Sequence, residues 1–257
     1  MNNEFIGREN VSVSRMNSEI IGTAHFSQHF TLHYGVMQAT HPMLCREIYR
    51  FRHKMYCEEL KFEDVRADKL ERDSADKTAI HFAVTHNATG KVVACARLLV
   101  DTKPENLPIT QFCHQESDAL GLHPLMVKQN TVCELSRFIV DSQFSSAKSA
   151  VEAGFSEESV VVGQLRYVTV LMAMDFAQSA GWVNMYVLSE PRFIRVMRIA
   201  GMPIRAIDNY VNFKGLRRPA HVDIPAFFAN ETPAFTHAEH ILRQHQLEES
   251  QAALLVG

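Results

Sequence analysis

The spacing of apolar residues changes sharply near the start of the chain. Residues 29–39, "HFTLHYGVMQA", alternate between apolar and polar positions, which predicts a strand with one buried face. The next segment, "THPMLCREIYRFRHKMYCEEL", has helical spacing instead, with apolar side chains at Leu44, Ile48, Phe51 and Met55. A strand followed by an amphipathic helix is therefore expected at this end.

The rest of the pattern predicts a mixed sheet. "IHFAVTHN" and "GKVVACARLLVD" flank the turn "NATG" and indicate a hairpin. "CELSRFIV" is the next strand, and an almost wholly apolar helix follows from about residue 159 to residue 180. "WVNMYVL", the short helix "EPRFIRVMRIAG" and the final strand "RAIDNYVNFKG" complete an α/β order with helices on both faces of the sheet.

The chain shows no repeat or low-complexity linker, which favours one main domain. We expect an irregular arm over residues 1–28, the α/β domain over residues 29–220 and a helical extension over residues 221–257.

Composition narrows the class of protein. The 257 residues are 46% apolar and 21% charged, with a net charge of -3, which gives no global case for nucleic-acid binding. The five scattered cysteines and the histidine spacing match neither a disulfide framework nor a metal site. No signal peptide or membrane span is evident, so a cytoplasmic location is expected, with a peripheral membrane contact left open.

Several motifs occur in an order that resembles acyl-homoserine-lactone synthases. They are a helix carrying an arginine and two aromatic residues, a pair of aspartates, a strand arginine before two leucines, and the run "CELSRF". The residues concerned are Arg52, Tyr56, Phe62, Asp73, Asp76, Arg97, Glu134, Ser136, Arg137 and Phe138.

A closer resemblance is to bacterial N-acyl amino acid synthases and acyltransferases associated with exosortases. Those proteins share "YCEEL", an acidic element that ends in His81 and Phe82, the "RLL" run and a "LPI" turn, all present here. The resemblance extends from Ile48 to Pro203. It implies a GNAT-like three-layer fold whose two central parallel strands splay apart in a V.

In such folds the phosphopantetheine arm of the acyl donor lies between the splayed strands, here "SRFIV" and "WVNMYVL". The resemblance therefore places donor and acceptor beside Ser136 to Val140. It also makes a backbone N–H near Phe138 or Ile139 the candidate donor to the oxyanion.

The donor is expected to be acyl carrier protein, with no permanently bound cofactor and no metal. The glycine-rich loop that holds the pyrophosphate of coenzyme A is missing, and Glu157 and Glu158 are expected at the start of the central helix. Arg192, Arg195 and Arg198 could receive the acidic carrier, with a solvated helix face as the alternative. Lys148, Lys214, Arg217 and Arg218 are further candidates.

Four side chains are candidates for the base that deprotonates the amine. Glu134 leads, followed by Asp76, Glu59 and His81. An alternative is purely structural: Glu134, Arg137, Arg97, Arg52, Asp73 and Asp76 would form an ion-pair network, three acids against three arginines.

An arginine with a free face, Arg97 or Arg52, could bind an amino acid carboxylate through two parallel hydrogen bonds. The sequence thus predicts an acyltransferase that moves a long fatty acyl chain to the α-amine of an amino acid. The alternatives are a lactone synthase that uses S-adenosylmethionine and a non-catalytic protein that binds the acyl carrier.

Overall fold

The computed structural model describes residues 23, 25–101, 103–114, 120–128, 131–230 and 232–256. Eight strands lie in this part of the chain: β1 (Phe30–Val36), β2 (Ile80–His86), β3 (Lys91–Val100), β4 (Val132–Val140), β5 (Asn184–Ser189), β6 (Ile204–Ala206), β7 (Val211–Asn212) and β8 (Leu216–Asp223). They form a mixed sheet in the order β1-β2-β3-β4-β5-β8-β6, and β7 pairs with β8.

Besides the helical residues 25–29, the described part of the chain contains six α-helices: α1 (Pro42–Arg52), α2 (Ala147–Glu152), α3 (Gln164–Ser179), α4 (Pro191–Ile199), α5 (Ile224–Phe228) and α6 (Thr236–Val256). Helix α1 continues without a break into a π-helix, His53–Glu59. π-Helices, whose backbone hydrogen bonds join residues five apart, are rare and are frequently found at functional sites.

The two faces of the sheet are covered by different helices. Helix α3 packs on one face, where its side chains join a core that includes Phe82, Leu98 and Leu135. Helix α1 packs on the other face against Ala83 and Cys95. This is the predicted three-layer arrangement, and the buried residues of α1 follow its predicted apolar stripe.

The two parallel strands separate along their length. Strands β4 and β5 pair only through Val132, Cys133 and Glu134 at the start of β4. Beyond Glu134, β4 remains paired with β3 and β5 with β8, so a gap opens between them. The predicted V-shaped splay is confirmed.

Three boundaries differ from the prediction. The central helix begins at Gln164 rather than near residue 159, since residues 158–160 form a separate 3₁₀ turn. The last strand of the sheet is β8, Leu216–Asp223, rather than the predicted residues 205–215, which contain only part of β6 and the short β7. Of the predicted irregular arm, residues 25–28 are helical and Phe26 is buried in the main core.

The described cysteines are all free and buried. Within the same residues, no helix has the length and apolarity needed to cross a bilayer.

Candidate active site

The gap between β4 and β5 opens into a cleft of about 360 Å³. Residues from β4, from the end of β5 and from the segment after the π-helix line it. Because side chains alternate along a strand, consecutive residues of β4 and β5 face opposite sides of the sheet. The cleft therefore has two chemically different halves.

The half on the α3 side is apolar. Leu135 of β4 and Val187 of β5 belong to the core beneath α3. Phe138 stacks obliquely on Phe193 of α4, with ring centroids 5.2 Å apart. A hydrocarbon chain entering this half would leave water, at a gain of roughly 25 cal/mol for each Å² of apolar surface buried.

The half on the α1 side is polar and charged. Its lining includes the four acids Glu63, Asp73, Glu134 and Glu190 and the four cations Arg97, Arg137, Lys214 and Arg217. Ser136 also faces this side, where its hydroxyl oxygen accepts a hydrogen bond of 3.1 Å from Nε of Arg97.

Behind this polar half lies a buried ion-pair network centred on Arg52. The Arg52 side chain is fully buried and donates to Glu71 and Asp76. Burial alone would raise the pKa of each acid. The charges of Arg52 and Arg137 near Glu71, and of Arg52 and Arg97 near Asp76, outweigh burial and lower both pKa values. Both acids are therefore held as carboxylates.

Two further arginines connect this network to the cleft. Arg97 lies 2.8 Å from Asp73 and 3.1 Å from Asp76. Arg137 reaches Glu63, Glu71 and Asp73 at 3.2–3.6 Å. The predicted network thus forms around Arg52, Arg97, Arg137, Asp73 and Asp76, but Glu71 and Glu63 join it and Glu134 does not.

Glu134 is the exceptional acid of the site. It is 4% exposed, lines the cleft, and has no ion-pair partner within 4 Å among the described residues. One oxygen accepts a hydrogen bond of 2.7 Å from the backbone N–H of Ile109. Burial raises the pKa of Glu134 to about 7, only partly opposed by that hydrogen bond and by Arg97 and Arg137.

The other three candidate bases lie outside the lining of the cleft. Asp76 is occupied by Arg52 and Arg97, and Glu59 lies outside, where Ser142 and Lys54 contact it. His81 is buried beside Tyr49, and burial lowers its pKa to about 4. Of the four, only Glu134 lines the cleft.

A bulge in β4 disturbs the ladder beside the splay. Cys95 is opposite Ile139 and Arg97 is opposite Ser136, so two residues of β4, Arg137 and Phe138, occupy the space of one. Arg137 has a φ of 52°. A bulge leaves one residue outside the ladder, which keeps a backbone N–H available at this point of the cleft.

The other predicted binding residues divide between the cleft and its surroundings. Tyr56 lines the cleft and donates a 3.0 Å hydrogen bond to the carbonyl of Phe138, whereas Val140 is absent from the lining and Arg52 lies behind it. The three arginines of α4, Arg192, Arg195 and Arg198, are all exposed.

The expected acids at the start of the central helix are elsewhere. Glu158 lies in the preceding 3₁₀ turn, 3.0 Å from His86 and 3.5 Å from His29, and helix α3 begins after Gly163. Repulsion of a pyrophosphate by Glu157 and Glu158 at that helix terminus was therefore a wrong prediction.

The sequence motifs did not identify three members of the site, namely Glu63, Glu71 and Ile109, and Lys214 and Arg217 were candidates only for carrier docking. Charge balance did not identify Glu71, because the three acids set against the three arginines already included Glu134. Ile109 contributes only a backbone N–H, for which side-chain patterns contain no signal.

Part of the chain matches a known protein family. Residues 51–153 match the family model described as "Acetyltransferase (GNAT) domain". A curated relative, the acyl-homoserine-lactone synthase of Agrobacterium fabrum, is 27% identical over 156 residues. That match covers 58% of this chain and 66% of the relative, slightly less than two thirds of its length.

Solved structures agree on the fold. The AHL synthase LasI superposes with a TM-score of 0.56 at 14% identity, over 81% of this chain and 95% of that one. The CoA-dependent acyl-homoserine lactone synthase BjaI, with SAM and isopentyl-CoA, gives 0.54 at 16% identity, over 82% and 87%. The resemblance and the GNAT-like fold drawn from the motifs are confirmed.

Removing one acid from the buried network should destabilise the protein. Asp76→Asn leaves Arg52 partly unpaired, and we expect a loss of about 3–5 kcal/mol in the free energy of unfolding at pH 7. The exposed Asp64, replaced by Asn, is the control and should have little effect.

The same loss should depend on pH. Folding lowers the pKa of Asp76. The stability that the Asp76 carboxylate contributes to the fold is therefore present above the unfolded pKa of about 4 and declines as the pH falls below that value. Urea denaturation at pH 7, 5 and 3 should show that the difference in free energy of unfolding between Asp76→Asn and wild type becomes smaller at low pH. A gap that widens on acidification would contradict the assignment.

Proposed function

We propose that this GNAT-domain acyltransferase, which is related to the acyl-homoserine-lactone synthases, transfers a long fatty acyl group from acyl carrier protein to the α-amine of an amino acid. The observation that carries the proposal is Glu134. Its carboxyl group has no ion-pair partner within 4 Å among the described residues, has a pKa near neutrality, and lies where the two parallel strands separate.

The reaction needs a base because an ammonium group has no lone pair with which to attack a thioester. The ammonium group of an acceptor in the polar half of the cleft can pass a proton to Glu134, directly or through a water molecule, and so become the free amine. The amine nitrogen then attacks the thioester carbon, the tetrahedral intermediate collapses, and the thiol of the donor departs as the amide forms.

The oxyanion of that intermediate needs a hydrogen-bond donor already in position. The bulge at Arg137 and Phe138 supplies the candidate backbone N–H. Tyr56 would stabilise the bulge, because its hydroxyl group is bound to the carbonyl of Phe138. Ser136, Phe138 and Ile139 then form the wall along which the donor arm lies.

The choice of acyl carrier protein rests on two features. No glycine-rich loop precedes α3 in the sequence to hold the pyrophosphate of coenzyme A. Arg192 and Arg195 are exposed and have no ion-pair partner within 4 Å among the described residues, which suits an acidic carrier. Their helix also supplies Phe193 to the apolar half of the cleft.

A second candidate function is synthesis of an acyl-homoserine lactone from S-adenosylmethionine. It is favoured by the 27% identity with the Agrobacterium fabrum enzyme. Both candidates share amide formation at an α-amine, and they differ in whether the product then closes to a lactone.

A matrix of donors and acceptors separates these functions. Purified protein is incubated with palmitoyl acyl carrier protein or palmitoyl-coenzyme A, and with each common amino acid or S-adenosylmethionine. Mass spectrometry should reveal an N-acyl amino acid formed from the carrier-bound donor. Formation of a lactone with S-adenosylmethionine alone would replace the proposal by the second candidate, and no acylated amine in any mixture would refute both.

The pH dependence of the rate tests Glu134 itself. Because the base must be deprotonated and its pKa is raised to about 7, kcat/KM for the acceptor should rise through a midpoint near pH 7. Glu134→Gln should lose this rise and lower kcat by about 10²–10⁴-fold. Any second rise from the amine's own ionisation should remain.

The exposed Glu105, replaced by Gln, is the control and should keep the wild-type profile. Full activity in Glu134→Gln would exclude Glu134 as the base.

Charge reversal on α4 tests the carrier. Arg192→Glu combined with Arg195→Glu should raise KM for the acyl carrier protein roughly tenfold or more, because like charges would then oppose docking. The rate with palmitoyl-pantetheine, which lacks the carrier, should stay unchanged. Arg243→Glu on α6 is the control, and equal effects on both donors would contradict docking at α4.

A further inference from the structure

We propose that Arg217 binds the α-carboxylate of the acceptor, with the ring of Phe62 as its platform. This inference rests on the proposed function and names the group that selects amino acids over simple amines. It applies equally to S-adenosylmethionine, which has an α-carboxylate beside its amine.

Arg217 bridges the two walls of the cleft. It belongs to β8, next to Arg218, whose backbone pairs with Ser189 at the end of β5. Its guanidinium carbon lies 4.8 Å from the ring centroid of Phe62, which comes from the segment after the π-helix. A flat guanidinium group stacked on a ring keeps its edge N–H groups available for a carboxylate.

The present partner of Arg217 is easily exchanged. Its Nη1 lies 3.1 Å from Glu190, whose side chain is 48% exposed. The Arg217 side chain is only 13% exposed, so the pair is open to water at its Glu190 end. An acceptor carboxylate deeper in the cleft can displace it, and Glu190 then returns to water without an unpaired buried charge.

The other cations of the site are less suitable. Arg52 is fully buried and does not line the cleft, and Arg137 already contacts three acids. Arg97 is held by Asp73 and Asp76, so a third carboxylate there would meet two negative charges.

Lys214 is also committed. It pairs with Glu63, an acid only 14% exposed that Arg137 shares. Removing Lys214 from Glu63 would disturb the network behind the cleft. Among the described residues, Arg217 is therefore the one lining cation whose only ion-pair partner within 4 Å is a half-exposed acid.

The test compares acceptors with and without the carboxylate. Steady-state kinetics use the best amino acid from the donor and acceptor matrix and its carboxamide, with a fixed saturating acyl donor. Arg217→Gln should raise KM for the amino acid at least 30-fold and leave KM for the carboxamide within twofold. Arg217→Lys, which keeps the charge but not the planar fork, should fall between.

Two further variants serve as controls. Arg205→Gln removes an exposed arginine of β6 outside the cleft and should behave as wild type. Glu190→Gln removes the competing acid and should lower KM for the amino acid severalfold. Unchanged KM for the acyl donor in each variant shows that the fold is retained.

The failures of the two proposals are distinguishable. If wild type acylates amino acids but Arg217→Gln changes KM for the amino acid and its carboxamide equally, the role of Arg217 is refuted and the function stands. If wild type acylates no amino acid and no S-adenosylmethionine, the proposed function itself is refuted.

Discussion

Three arginines lie in or beside the interior of this protein, and each must be paired because an isolated buried charge is very costly. Arg52 is fully buried, Arg97 is nearly so, and Arg137 is 23% exposed at its side chain. Their need for acids brings the long loop after the π-helix over the end of β4 and holds it there. One wall of the cleft, with Phe62 and Glu63, depends on this neutralisation.

The same constraint explains how one acid remains available for chemistry. Four acids, Glu63, Glu71, Asp73 and Asp76, are shared among the three arginines. Among the described residues Glu134 has no ion-pair partner within 4 Å, and its carboxylate accepts a hydrogen bond from the backbone N–H of Ile109. Contact with an arginine thus separates the acids that support the structure from Glu134, the candidate for proton transfer.

Much of the fold follows from hydrophobic spacing. The stripe at Ile48, Phe51 and Met55 is buried as its period requires, and "CELSRFIV" is the strand at the splay. The end of the sheet was harder to predict, because β8 contains two arginines and a proline and does not alternate. Its buried His221 is satisfied by Asn184 of β5, a partner 37 residues away.

The site was predictable in its residues but less so in their roles. Glu134 and Arg97 were identified from motifs, yet a motif does not say which acid an arginine contacts. The count of three acids against three arginines included Glu134 in place of Glu71, because the sequence does not show which of the two contacts an arginine. Only the pairing of β3 with β4 and the placement of the loop distinguish them.

The central claim is that Glu134 titrates near neutral pH. A direct measurement is carbon NMR of protein labelled at the glutamate side-chain carboxyl, with the Glu134 signal assigned by its absence from Glu134→Gln. The account predicts a titration midpoint for Glu134 at about pH 7. A midpoint at or below the ordinary glutamate pKa of about 4.3 would contradict it.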